Sequence, residues 1–163
     1  MAKKGFLFVL LFVALINSAW AYDFYAVCST GQTLYYNITD ANNHYVEVTC
    51  PGINNWTGYT KPTGNLAIPS SVNHSGITYS VKAVGAYAFY ECENLTGLTF
   101  PNTIISIGRS AFDNVGVTSV SFPSSLLSIG GLAFNGSSVT SVSFPNSLTK
   151  MGEWVFNATP WYI

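Results

Sequence analysis

The chain has 163 residues, with six basic and seven acidic side chains, and it is 48% apolar but only 8% charged. Ser, Thr, Asn, Gly and aromatic residues abound while helix-favouring charged residues are scarce, so strands and turns are predicted in place of helices. No basic cluster exists, so nucleic acid binding lacks its electrostatic footprint.

In chain order, Lys3 and Lys4 precede an uncharged apolar run over residues 5–16, followed by Asn17-Ser18-Ala19-Trp20-Ala21. A basic start, a short apolar stretch and small residues at the −3 and −1 positions form the layout of a secretory signal peptide, with cleavage expected after Ala21. The apolar run is too short for the roughly 20 residues that a bilayer-spanning helix requires. Cys28 lies well beyond it and follows bulky Val27, which argues against a lipoprotein anchor. The mature chain is therefore expected to be secreted or displayed at the cell surface, without a membrane span. It keeps Lys61, Lys82, Arg109 and Lys150 against seven acids, a net charge of −3.

Residues 22–65 carry no repeat. Segments 34–39 and 45–50 are strand-like, residues 40–44 between them read as a hairpin loop, and residues 23–28 add a third strand. Residues 51–64 hold two Pro and three Gly and read as an irregular loop. The whole segment is expected to be a small antiparallel β-hairpin or meander that caps whatever follows. Export permits disulfides. Cys28 and Cys50, however, sit on the outer strands of such a meander, about 9.6 Å apart, beyond the ~7 Å reach of a bridge. Whether they pair is left open. Cys92 reads as a small buried filler.

From residue 66 onward the chain repeats itself. Gly85, Gly108, Gly130 and Gly152 recur at spacings of 23, 22 and 22, and Phe89, Phe112, Phe134 and Phe156 do the same. Pro101, Pro123 and Pro145 each follow a Phe and lie 22 apart. A short fixed period marks a solenoid, whose units must stack to bury their apolar faces. Leu98/Phe100, Val120/Phe122 and Val142/Phe144 alternate with polar residues, so one short strand per unit is predicted, stacked into a parallel sheet. Each Pro ends its strand for want of an N–H, and each Gly is expected to permit a turn closed to residues with a Cβ. The repeated Phe side chains should form an internal ladder. The first unit is interrupted: Pro69 to Gly85 spans sixteen residues, where Pro101 to Gly108 spans seven. A small hairpin projecting from the stack at about 72–80 accounts for the excess.

The unit L-x-x-[VI]-x-[IF]-P-x-S-[VL]-x-x-I-G-x-x-A-F-x-x-C resembles that of the BspA-like leucine-rich repeat family. The resemblance covers about residues 66–160, with the interrupted first unit at 66–92 and further units from Leu95 through Phe156. Residues 22–65 resemble, more weakly, the β-rich leader that often precedes such repeats. Departures are the Cys at the last motif position in the first unit only, and Met151 and Val155 in place of Ile and Ala in the last unit. The resemblance implies a β-rich solenoid of about four leucine-rich repeats over residues 66–163. It also implies a secreted or surface-exposed protein of bacteria or of some parasitic protozoa, associated with adhesion to host matrix proteins and other cells. It brings no catalytic residues.

Little else in the sequence points to chemistry. His44 and His74 lie in predicted turns thirty residues apart. No G-x-S-x-G nucleophile elbow occurs. Glu91, Glu93 and Asp113 read as a solvated acidic edge more readily than as a weak Ca²⁺ site, so neither cofactor nor metal is expected. Asn37, Asn55, Asn73, Asn94, Asn135 and Asn157 begin N-x-[ST] triplets, which matter only in a eukaryotic secretory pathway. Alternation points Gly97, Thr99, Ser119, Ser121, Ser141 and Ser143 away from the core. This hydroxyl-lined sheet face is the candidate ligand-binding site for a protein or glycan of a host or neighbouring cell. Tyr79, Tyr87 and Tyr90 offer a rival patch. A structural spacer, or a truncated fragment of a longer repeat array, without its own ligand is the alternative function, and a glycan-acting enzyme a weaker one. Either Trp154, Trp161 and Tyr162 fold over the end of the stack, or the chain is a truncated relative of a longer array, whose open end permits end-to-end self-association.

Overall fold

A computed structural model describes residues 21–162; the signal-peptide reading therefore falls outside the described residues. The architecture is a stack of β-rich turns without an α-helix among the described residues. Each regular unit contributes two short strands, not the one that alternation revealed. The first set is β4 (Gly64–Ala67), β7 (Leu95–Thr99), β9 (Ser119–Ser121) and β11 (Ser141–Ser143), in which β4 pairs with β7 and β9 with β11, all parallel. The second set is β6 (Ile77–Val84), β8 (Ser106–Ile107), β10 (Ser128–Ile129) and β12 (Lys150–Met151), parallel throughout. Two-residue strands are too short to display a period of two, which is why they were invisible to pattern reading.

Between the second strand of one unit and the first of the next, the chain makes turns that also stack. Tyr87, Phe89 and Glu91 donate their N–H groups to the carbonyls of Arg109, Ala111 and Asp113 one unit on. Ser110, Phe112 and Asn114 repeat this toward Gly131, Ala133 and Asn135, and Leu132, Phe134 and Gly136 toward Glu153, Val155 and Asn157. Tyr87, Ser110, Leu132 and Trp154 all adopt left-handed backbone, with φ between 50° and 63°. Such a conformation costs a side-chain-bearing residue roughly 1–2 kcal/mol. It aims the flanking N–H groups along the stack axis, so the strain is offset by hydrogen bonds that only a neighbouring unit can supply.

The glycine column works differently from its sequence-based reading. Gly85, Gly108, Gly130 and Gly152 do not sit in the left-handed region. A Cβ on Gly108 would lie 2.5 Å from the Ala86 nitrogen, one on Gly130 2.6 Å from the Arg109 nitrogen, and one on Gly152 2.3 Å from the Gly131 nitrogen. Glycine is required because backbone touches backbone between units, not because of φ.

Inside, Phe89, Phe112, Phe134 and Phe156 form a ladder of nearly parallel rings with centroids 5.1, 4.9 and 5.5 Å apart. Phe100, Phe122 and Phe144 form a second column, meeting the first edge to face at 5.7, 5.7 and 6.0 Å. A buried Phe contributes roughly 2–3 kcal/mol through area alone, and edge-to-face pairing adds to it. Trp56 stacks on Phe89 at 6.5 Å and donates its indole N–H to the Ala88 carbonyl, while Trp161 packs on Phe156 at 5.0 Å.

β1 (Phe24–Val27), β2 (Thr33–Asp40) and β3 (Tyr45–Thr49) form the expected antiparallel meander. Asp40 holds the β2–β3 loop by accepting the N–H groups of Asn42 and Asn43 at 3.0 and 2.9 Å. The meander is also fused edge-on to the repeats: β3 pairs in parallel with β6, giving one long sheet in the order β1-β2-β3-β6-β8-β10-β12. The excess residues of the first unit form a hairpin, β5 (Ser71–His74) with the N-terminal half of β6, closed by Ser75 and Gly76 at positive φ. The two-residue turn with both φ positive is the I′ type that matches strand twist. The hairpin does not simply project, because β6 runs on into the ladder and Val72 and Tyr79 are buried.

Replacing Gly130 with Ala should lower unfolding free energy by about 1–3 kcal/mol, as overpacking against immovable backbone does. The control Ser119→Ala should stay within about 0.5 kcal/mol. Urea titration followed by Trp fluorescence measures both.

Candidate functional site

The structure places Thr99, Ser119, Ser121, Ser141 and Ser143 in water on the outer face of β7, β9 and β11, while Val120 between them is buried. Ser119 and Ser121 lie directly opposite Ser141 and Ser143 in the β9–β11 register, so their hydroxyls recur at the strand spacing of ~4.8 Å. Gly97 belongs to the same face but is not open: a Cβ there would collide with the Asn65 amide at 2.0 Å. These outward positions carry no aromatic or Arg anchor of the kind that dominates tight interfaces.

A second outward face belongs to the long sheet and was not anticipated from the repeats. Cross-strand register aligns Asn37 with Glu47, Glu47 with Ala83, Ala83 with Ser106, and Ser106 with Ser128 and Lys150 beyond. One step along the strands, Tyr25 lies opposite Tyr35, and Tyr35 opposite Thr49. Tyr35 is ringed by Tyr22, Tyr59, Trp56 and Tyr25 at centroid distances of 4.7, 5.5, 5.7 and 6.1 Å. Tyr25 is 63% exposed and Tyr59 37%. Burial raises the Glu47 carboxyl above its ordinary range, with the Asn37 amide at 3.5 Å partly opposing the shift. The readable signal was Tyr35-Tyr36 within an alternating strand, which must send one ring inward and the other out.

The remaining candidates resolve into structure. Tyr79 is buried, and Tyr87 and Tyr90 are half-buried against each other at 5.9 Å, so they do not make a contact patch with Tyr79. His74 stacks on Phe24 at 4.3 Å, while His44 is exposed in the β2–β3 turn and meets Tyr79 edge-on at 5.6 Å. The acidic edge is divided. Glu91 faces Lys61 at 3.8 Å, whereas Asp113 is buried and accepts from the amides of Asn114 and Asn135. Asn157 extends this ladder by donating to Asn135 at 2.8 Å, which engages two of the six triplet asparagines inside the stack. Among the described residues no three His, Cys, Asp or Glu side chains converge to hold a metal ion, and no helix is long and apolar enough to cross a membrane.

Cys28, Cys50 and Cys92 are all buried free thiols. Burial drives the Cys92 thiol from 9 up to about 12. A thiol whose pKa is raised by folding stabilises the fold below its unfolded value and loses that contribution as pH climbs from about 9 toward 12. Cys92→Val, which copies Val115 at the equivalent position, should fold and should flatten the stability loss over that interval relative to wild type. Urea unfolding at pH 8 and pH 10.5 reads the difference, and in wild type a thiol reagent should label Cys92 only after unfolding.

Residues 62–161 match a family model described as BspA type leucine rich repeat region, in six copies. No curated protein matches the sequence. Among solved structures, a leucine-rich repeat protein from Bacteroides ovatus superposes with a TM-score of 0.54 at 23% identity, covering 83% of this chain and 38% of its own. The pneumococcal vaccine antigen PcpA superposes at 0.52 with 11% identity, covering 85% of this chain and 48% of its own. At these identities the likeness is one of fold, and the chain spans less than half the length of either protein.

Proposed function

For a chain that belongs to the BspA-type leucine-rich repeat family, we propose the role of an exported, non-catalytic binding module acting in adhesion at a cell surface. Its partner is a protein or glycan of a host or neighbouring cell, with the meander capping the first repeat. The observation that carries this reading is the in-register array of exposed hydroxyls on β9 and β11. Every repeated Phe except the half-exposed Phe144 is buried or partly buried, so the period that builds the core also builds a regular polar surface. A surface of small hydroxyls makes weak contacts, and repetition strengthens them through effective concentration.

Ser121→Arg and Ser143→Arg should each abolish retention of the protein on its target cells or matrix while leaving stability within about 0.5 kcal/mol of wild type. If neither substitution alters any interaction, this face is not the site and the spacer reading takes its place. The N-terminal sequence of exported material should begin at Tyr22. Self-association is supported by a different observation: Phe144, Met151, Trp154 and Trp161, at the outer margin of β11 and β12, are each more than one-third exposed. Sedimentation should then show concentration-dependent oligomers that Met151→Ser with Trp154→Ser disperses.

A further inference from the structure

One tyrosine of the meander, Tyr35, also lines a cleft of its own. A cleft of about 370 Å³ separates the β1–β2 turn from the loop that returns to β4, lined by Gln32, Thr33, Tyr35, Thr60, Lys61 and Thr63. The cleft is held open by fixed contacts. The Gln32 amide donates across its base to the carbonyls of Thr63 and Asn65 at 2.8 and 3.1 Å, tying turn to loop. On the far side, Trp56 is anchored in the ladder and packs edge-on against Tyr35. The walls thus combine Tyr35, three threonines, the Lys61 stem, Gly31 and Pro62 with an amide already committed to the backbone.

Charge in the cleft is neutralised in place. Lys61 donates to the Glu91 carbonyl at 2.7 Å and faces the Glu91 carboxylate at 3.8 Å. The cleft therefore presents hydroxyls and an aromatic residue with no unmatched charge, and Tyr35 in its wall is in ring contact with the exposed Tyr25 and Tyr59. An aromatic wall with a few convergent polar groups is the composition of a small-ligand site. Tyrosine supplies both an apolar ring face and a hydroxyl. A ligand that matches this needs apolar C–H faces, many hydroxyls and no charge. A sugar ring has all three.

We propose that this cleft binds a neutral glycan, one sugar residue seated against Tyr35 with its hydroxyls toward Thr33 and Thr60, and the next lying on Tyr25. The site is separate from the hydroxyl face of β9 and β11, and the two stand or fall independently.

Affinity electrophoresis tests it, with native gels containing hydroxyethyl cellulose, mannan, xylan or soluble starch, polygalacturonate as the anionic control and gelatin as the polypeptide control. Wild type should be retarded by at least one neutral polysaccharide. Tyr25→Ala, at an exposed position, and Thr60→Trp, which fills the cleft, should each weaken that retardation about tenfold with unchanged urea unfolding. Ser121→Arg should be retarded like wild type. The proposal is overturned if no neutral polysaccharide retards wild type, or if only polygalacturonate or gelatin does. It is equally overturned if both cleft variants bind as wild type, or if Ser121→Arg alone abolishes the effect. A failure of the hydroxyl-face reading would appear only in cell or matrix retention, so the two results are distinguishable.

Discussion

Backbone-to-backbone contact between successive units is the constraint on which the rest of this molecule depends. At Gly108, Gly130 and Gly152 the backbone of the preceding unit approaches so closely that no Cβ fits. That approach sets the stack spacing at which strands can pair in parallel, turns can hydrogen-bond to turns, and phenylalanine rings can lie about 5 Å apart. A unit alone would expose its left-handed turns with their N–H groups unmet, along with one face of its Phe. Buried polar groups without partners are costly, so the units are stable only together. The Asp113–Asn135–Asn157 ladder follows the same logic with side chains, each amide satisfied by the residue 22 positions earlier.

This dependence explains why the N-terminal segment is fused rather than merely apposed. The first unit needs a donor and acceptor row on its outer side as much as the inner ones do. β3 supplies that row by pairing in parallel with β6, and the Gly85 N–H donates to the Val48 carbonyl as Gly108 does to Val84. Val48 thus occupies the position that Val84 and Ile107 occupy further along. Trp56 then closes the Phe column where a preceding Phe would have been.

How much of this was legible depended on how many residues carried each signal. The 22-residue period is written in several columns at once, so the stack, the Phe ladder and the outward hydroxyls could be read directly. The second strand of each unit could not, because Ser106-Ile107 and Ser128-Ile129 are too short for alternation to appear. The role of Gly was misassigned because a sequence records that a Cβ is absent but not whether φ or a neighbour excludes it. The left-handed positions carry Tyr, Ser, Leu and Trp and so gave no signal at all. The hairpin expected at about 72–80 was recognised from its turn, but its continuation into the ladder depends on pairing with β3 and β8, which is non-local information.

The same distinction separates the two candidate surfaces. Hydroxyls on β9 and β11 follow from the period, so any chain of this repeat type that places Ser or Thr there gains a regular polar face along with the stack. The tyrosine-bordered cleft owes nothing to the period. It is assembled from a turn at residue 32, a strand position at 35 and a loop at 60–63, brought together by Gln32 and Trp56. Stacking does not require Tyr25 to be in water, nor Tyr35 to be ringed by Tyr22 and Tyr59 rather than aliphatic residues. Side chains that the architecture leaves unexplained are where a specific ligand, as opposed to a polar coat, has room to have shaped the sequence.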